Sequence, residues 1–257
     1  MELDFEKSLT YMSKDPGWVN KLLAGSGIVL AMYAVFIIPF FAYIITDSAA
    51  AGIASLLLCL ICSAVLSLIM AGYYAQIVNR RINYSNTFLP DWNEFGKLIK
   101  TGLKYYVGSF IYYLPFVLLS FIFICCVAVA VDHGFHIAAF LLLTGFGAIC
   151  AVVGILTMLF VPLMMANFFR DLKILSFINF KSAFEMLKGN VGNYCILILL
   201  FIALSVLVQI IMSLLITTIV GIIFLPILYF YSYVVAAELV AQFVLCSKEK
   251  TISAEAQ

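Results

Sequence analysis

Charge is scarce in this chain. Asp, Glu, Lys and Arg make up 11% of its 257 residues, against roughly 25% in an ordinary soluble domain. A water-soluble fold of this length could not cover its surface with so few charges, and a soluble α-helical protein is the weaker alternative. Segments of about ten alternating residues are also missing, which argues against a transmembrane barrel. The first 25 residues are polar and amphipathic. They contain no short apolar core ending in a small-residue cleavage site, so insertion is expected to use the first transmembrane helix itself.

Reactive constellations are equally sparse. There is no phosphate-cradling glycine loop, no zinc-protease helix motif and no Ser or Cys nucleophile with an evident base. Gly25-Ser26-Gly27 is too short to signify a nucleotide site, and no cofactor is expected. His133 and His136 sit beside Asp132 in a short turn. Two histidines and a carboxylate can bind zinc, but proximity in one turn is weak support. Of the seven cysteines, Cys59, Cys62, Cys125, Cys126, Cys150 and Cys195 lie inside apolar runs and Cys246 ends one. They read as small apolar packing residues. Cys59 and Cys62 have redox or zinc spacing with no second pair.

What the chain does contain is apolar length. Hydrophobic residues make up 65% of it, with a mean hydropathy of +1.16, and the main uncharged runs exceed the roughly 20 residues that cross a bilayer as a helix. The runs place helices near Ile28–Ile45, Ile53–Val78, Tyr106–Val129 and Ala138–Phe168, the last with Pro162 as a bend point. Asp47-Ser48 and Asp132-His133-Gly134 are the intervening turns. A final run from Tyr194 to Cys246 has length for two crossings, with a tight break expected among Thr217, Thr218, Gly221 and Pro226. The expected fold is all-α, a bundle of six transmembrane helices.

The 14 basic residues fix an orientation. Lys7, Lys14 and Lys21 precede helix 1. Arg80, Arg81, Lys97, Lys100 and Lys104 separate helices 2 and 3. Arg170, Lys173, Lys181 and Lys188 separate helices 4 and 5, and Lys248 and Lys250 follow helix 6. Six crossings put every one on one side, and the opposite connections carry only Asp47 and Asp132. The positive-inside rule then predicts both termini in the cytoplasm.

The basic segments are patterned. Trp92, Phe95, Leu98, Ile99 and Leu103 fall on one helical face, with Lys97, Lys100 and Lys104 on others. Phe180, Ala183, Phe184, Met186, Leu187 and Val191 repeat this with Lys181 and Lys188, and Phe5, Leu9, Trp18, Leu22 and Leu23 offer a third case. Such segments suit interfacial helices with lysines near anionic lipid headgroups at the cytoplasmic face; plain linkers are the alternative. Each precedes a helical hairpin, and Ala75-Gln76, Ala166-Asn167 and Ala237-Glu238 match at the ends of the even helices. The pattern predicts three degenerate units, 1–88, 89–176 and 177–257, each an interfacial amphipathic helix plus a transmembrane hairpin, within a single membrane domain.

Two short elements are more specific. Asp15-Pro16-Gly17-Trp18 is followed by Lys21-Leu22-Leu23-Ala24-Gly25. Gly72-Tyr73-Tyr74 leads to Arg80, then Leu89-Pro90-Asp91-Trp92 and Gly102-Leu103. Together they make the chain resemble a family of uncharacterised prokaryotic integral membrane proteins, defined only as a domain of unknown function. The resemblance covers most of the chain. It implies a bacterial or archaeal cell membrane and brings no catalytic or ligand residues with it.

Asp15-Pro16 and Pro90-Asp91 read as helix starts, which places Trp18 and Trp92 near the headgroups. Trp18, Trp92, Phe95, Phe180 and Phe184 form the candidate interfacial or docking set. Glu238 is the most unusual single residue. It lies ten positions before Lys248, roughly 15 Å along a helix, at a depth where a carboxylate must be protonated, paired or hydrated. With Gln242, Gln76, Asn79 and Asn167 it could line a polar cytoplasmic vestibule, or these groups could hydrogen-bond helices together.

Three functional readings follow. The first is a non-catalytic scaffold or partner-binding subunit, engaging another membrane protein or a second copy. The second is a carrier, channel or lipid-handling protein, and the third, weakest, an intramembrane enzyme. The lysines flank membrane segments and so point to anionic lipid, not nucleic acid. A water-accessible cavity reaching Glu238 would favour transport; a tightly packed centre with an exposed apolar groove would favour assembly.

Overall fold

The computed structural model describes residues 3–46, 48–84, 89–188 and 190–255. Among these, eight α-helices follow in order: α1 (Phe5–Thr10), α2 (Trp18–Thr46), α3 (Ala49–Asn83), α4 (Phe95–Asp132), α5 (His136–Asp171), α6 (Phe180–Leu187), α7 (Val191–Ile216) and α8 (Ile219–Glu255). Six of them, α2 to α5, α7 and α8, are long and apolar enough to cross a membrane. The chain is a polytopic, all-α membrane protein.

Local chemistry explains the boundaries. Asp4 caps α1 by accepting from the Lys7 N–H at 2.9 Å, and Ser48 caps α3 through the Ala51 N–H. Asp47 and Asn86 lie outside the described residues. The expected break in the last apolar run is a two-residue turn, Thr217-Thr218, where the Thr218 hydroxyl accepts from the Gly221 N–H at 3.0 Å. Pro39, Pro115, Pro162 and Pro226 all sit inside helices, where neighbouring groups can serve the freed carbonyls.

The middle interfacial segment is corrected by the structure. Phe95 to Leu103 is no separate helix but the start of α4, which continues unbroken to Asp132. At 38 residues that helix is about 57 Å long, far longer than the hydrocarbon thickness requires. Trp18, Leu22 and Leu23 likewise belong to the first turns of α2. The third segment is a distinct amphipathic helix, α6, which buries Ala183 and Met186 and exposes Phe180 and Phe184.

Packing is uneven along the bundle axis. α3 lies centrally against α2, α4, α5 and α8, and α8 also packs on α1, α6 and α7. The core gathers at the end carrying the basic residues: Ile69 to Val78 of α3, Leu163 to Phe169 of α5 and Val234 to Val244 of α8. Toward the other end few residues are buried. All buried residues of α4 lie between Leu98 and Tyr112, and its most apolar stretch buries none.

Backbone contact at two glycines sets the α3–α4 crossing. A Cβ on Gly72 would fall 1.9 Å from the Leu98 carbonyl oxygen, and one on Gly102 would fall 1.9 Å from that of Leu68. Leu68 and Gly72, like Leu98 and Gly102, are one turn apart, so each helix offers a glycine to the other's leucine carbonyl. Such small-residue contacts drive helix association in lipid. A Cβ on Gly145 or Gly147 would meet nothing within 4 Å, so neither glycine sits in a close helix contact.

Candidate functional site

The polar groups concentrate at the basic end, in four adjoining arrangements. The first clasps the chain before α2 to the chain before α4. Asp15 accepts from the Gly17 N–H at 2.7 Å, the Lys21 ammonium at 2.9 Å and the Leu89 N–H at 2.8 Å. Lys21 also donates to the Leu89 carbonyl at 2.7 Å and pairs with Asp91 at 2.9 Å. Trp92 closes the clasp: its indole N–H donates to the Lys21 carbonyl at 3.2 Å, and its ring stacks on Tyr73 with centroids 4.0 Å apart. The Tyr73 hydroxyl donates to the Pro90 carbonyl at 3.2 Å. Phe230 packs at the edge of that stack, in space that only a glycine at position 25 leaves open.

The clasp has a definite acid response. Burial works against a charged Asp15, but the Lys21 ammonium and the Gly17 and Leu89 N–H groups outweigh it and hold the carboxyl below its ordinary value of 3.8. A group depressed in the folded state stabilises fully above its unfolded pKa, and that contribution is lost as pH falls through the folded value. The Trp92 fluorescence is therefore expected to report loosening only below about pH 4. Asp15→Ala should lose roughly 3 kcal/mol of stability at neutral pH and show no such acid step. Denaturant unfolding monitored at several pH values checks both; an unchanged acid profile in the variant would remove Asp15 from this role.

The second arrangement encloses Glu238. This side chain is 0% exposed, and the Arg81 Nε–H lies 3.2 Å from both of its carboxylate oxygens. Gln242, one turn on, donates to Glu238 at 3.3 Å and to the Ser8 hydroxyl at 3.0 Å, and its carbonyl accepts from the Asp4 N–H at 2.9 Å. The Tyr231 hydroxyl donates to the Leu9 carbonyl at 2.5 Å. α1 thus lies across α8 over the ion pair. Tyr11 at the end of α1 is buried as well, and burial with Glu238 nearby pushes its phenol well above the usual range, so it stays neutral.

The third arrangement ends α5. An α-helix leaves its last carbonyls without internal donors. Here Asn79 donates to the Phe169 and Arg170 carbonyls at 2.8 and 2.9 Å. Leu172 turns left-handed (φ 51°) and its carbonyl accepts from Lys104 at 3.3 Å. Asn167 donates to the Ser176 carbonyl at 2.9 Å and accepts from the Ser182 hydroxyl at 2.9 Å, which seats α6 against α5.

The fourth is a cavity of about 680 Å³ between α3, α4 and the end of α5, lined by Gln76, Asn79, Arg80, Tyr84, Lys97 and Leu172. Gln76 is 3% exposed, and its amide nitrogen has no hydrogen-bond partner.

Residues 55–217 match the family described as "Protein of unknown function (DUF4013)". That is more than half of the chain. The chain belongs to this family. The match runs from α3 to the end of α7, so it contains the Leu89-Pro90-Asp91-Trp92 half of the clasp, while Asp15-Pro16-Gly17-Trp18 and Glu238 lie outside it. No curated protein and no solved structure matches the chain.

The residues read from the sequence as one vestibule fall into three places in this family member. Glu238 and Gln242 meet each other, Asn167 organises the α5–α6 connection, and Gln76 and Asn79 face the cavity. The aromatic set also divides. Trp92 is stacked inside the clasp and Trp18 lies at its margin, whereas Phe95, Phe180 and Phe184 remain exposed. Arg81 is the functional residue the sequence reading missed as a partner, having been taken as flanking charge. Its signal was depth: a carboxylate placed where Glu238 is placed requires a cation, and Arg80-Arg81 close a neighbouring even helix. Among the described residues, no three His, Cys, Asp or Glu side chains come close enough to hold a metal ion.

Proposed function

We propose that the chain is a non-catalytic subunit of the cell membrane of a bacterium or archaeon, with both termini in the cytoplasm, that binds another membrane protein through its α4–α5 hairpin. The orientation is supported by the basic residues, all of which lie at the packed end of the bundle. The observation that carries the binding role is the contrast between the two ends. At the basic end Glu238 is sealed beneath α1 and held by Arg81, which supports a structural bolt in place of a hydrated path. Beyond that end, α4 and α5 leave two apolar clefts of about 400 and 380 Å³.

Phe116, Val153 and Thr157 line both clefts, and Phe180 and Phe184 of α6 close the second. Lipid tails are as apolar as such a lining, so hydrophobicity alone drives no association there; close packing of a complementary helix does. The three-unit organisation fits the same picture, since each hairpin is preceded by amphipathic sequence: α1 with the start of α2, the first turns of α4, and α6.

The test is extraction of the full chain with its surrounding lipid, followed by native mass spectrometry. A stoichiometric protein partner is expected with the wild type, and its loss with Val153→Trp, which puts a bulky ring into the wall the two clefts share. A wild-type monomer that instead carries one reproducible solute would overturn this reading in favour of a carrier.

A further inference from the structure

We propose that the cavity between α3, α4 and the end of α5 is a binding site for a phosphate group, whether on an acidic phospholipid headgroup or as free phosphate. The proposal is independent of the partner-binding role above, since no residue of the two clefts takes part.

The first argument is the unpaired amide. Gln76 is buried on the last well-packed turns of α3, yet its amide nitrogen, a donor of two hydrogen bonds, finds no acceptor. Folded proteins seldom leave such a group unserved. Gln76 is one of the residues that line the cavity, and an acceptor bound there would give its side chain a partner.

The second argument is the charge of the lining. Arg80 follows Gln76 by one helical turn, and Lys97 faces it from the first turn of α4. Among the described residues, no carboxylate lines the cavity. The acidic side chains around it are engaged: Glu94 holds Lys97 at 2.9 Å, and Asp171 holds Arg170 at 3.0 Å. Arg80 has no ion-pair partner among the described residues. Lys104 adds a further cation beside the wall, where it donates to the Leu172 carbonyl. The donors offered are therefore the Arg80 guanidinium fork and the Gln76 amide, with Lys97, shared with Glu94, and Tyr84 completing the lining. A tetrahedral anion with several acceptor oxygens matches that set better than a single carboxylate does.

The third argument is position. Gln76 lies two turns from the end of α3, and the cavity opens beside the exposed Tyr84 and Lys97. Basic pockets between transmembrane helices at this level are where acidic headgroups are held.

The test uses the full-length chain in mixed micelles of equimolar phosphatidylglycerol and phosphatidylcholine, with retained lipid counted by native mass spectrometry. A parallel arm measures the thermal shift produced by inorganic phosphate against chloride at matched ionic strength. Hydrogen bonds to charged groups imply about a tenfold loss of binding for Arg80→Gln and for Gln76→Leu. Lys181→Gln, on α6 and away from the cavity, should weaken binding clearly less than Arg80→Gln. Gln76→Leu removes a buried unpaired amide and should unfold no earlier than the wild type without ligand, so its loss of binding cannot be laid to misfolding. Preferential retention of phosphatidylglycerol that depends on Arg80 and Gln76 identifies a lipid headgroup. A phosphate-specific shift with the same dependence, but no lipid preference, identifies a free anion. Either supports the site. If neither lipid nor phosphate binding responds to Gln76→Leu, or if Lys181→Gln weakens binding as much as Arg80→Gln, the proposal fails, and water alone serves the amide.

Discussion

Alanine at Gly72 or Gly102 is expected to lower stability by about 3 kcal/mol or more, a large effect for one methyl group. The reason lies in what the methyl would meet. At each position the added Cβ would lie 1.9 Å from a main-chain carbonyl oxygen of the facing helix. A side chain could rotate away, but a helical carbonyl cannot, so α3 and α4 must move apart. That separation spreads, because Tyr73 follows Gly72 directly and carries the stack on Trp92, while Leu98, which faces Gly72, is itself fully buried. Gly145→Ala is the matched control. Nothing lies within 4 Å of its Cβ position, so the higher helix propensity of alanine should stabilise it by up to about 1 kcal/mol. Unfolding in detergent, with all three variants compared under one condition, reads the difference. If Gly72→Ala and Gly145→Ala behave alike, α3 and α4 do not cross at these glycines.

Much of this architecture was readable from hydropathy because a bilayer imposes a length on every crossing. The turn at Thr217-Thr218 is the clearest case: a run too long for one helix and short of loop residues leaves room only for a tight break. Continuity was not readable in the same way. An amphipathic stretch such as Trp92 to Leu103 has the same periodicity whether it lies along the membrane surface or extends a crossing helix. No proline or other breaker separates Leu103 from Tyr106, and α4 simply runs through. The uneven packing was also invisible, since apolar residues facing lipid and apolar residues facing the core are chemically alike.

The polar site divides along similar lines. Asp15, Lys21, Asp91 and Trp92 stand out by residue type, because prolines and tryptophans beside charges are rare in so apolar a chain. Their mutual contact spans some 70 positions, as in the bond between Leu89 and Asp15, and only the fold brings them together. Glycines also differ by place in the fold: Gly145 and Gly147 lie in open space, whereas Gly72 and Gly102 make the contact between two helices. Gln76 and Asn79 are one turn apart and were grouped by depth. What depth cannot supply is direction: Asn79 caps α5, while Gln76 lines the cavity with its amide nitrogen unpaired.

Removing the Glu238 carboxylate should be the costliest polar change in the molecule, at roughly 3–5 kcal/mol for Glu238→Ala. The loss would come less from the attraction itself than from what is left behind. Arg81 is only 12% exposed, and without Glu238 its guanidinium would have no counter-charge in a poorly hydrated setting. Gln242 would lose one acceptor while remaining tied to Asp4 and Ser8, so the seat of α1 on α8 should loosen as well. Replacing both partners by apolar residues removes the two charges together, and Arg81→Met with Glu238→Leu is therefore expected to recover most of the stability lost by Glu238→Ala. That recovery is the diagnostic result. A bolt that only joins helices tolerates an apolar substitute, and the double variant would fold and retain any partner that the wild type binds. A carboxylate required for passage of an ion or solute would not: the double variant would be stable but inert. A thermodynamic cycle over the two single variants and the double variant, with partner retention measured alongside, separates these outcomes. If Glu238→Ala is as stable as the wild type, the pair with Arg81 does not hold the bundle.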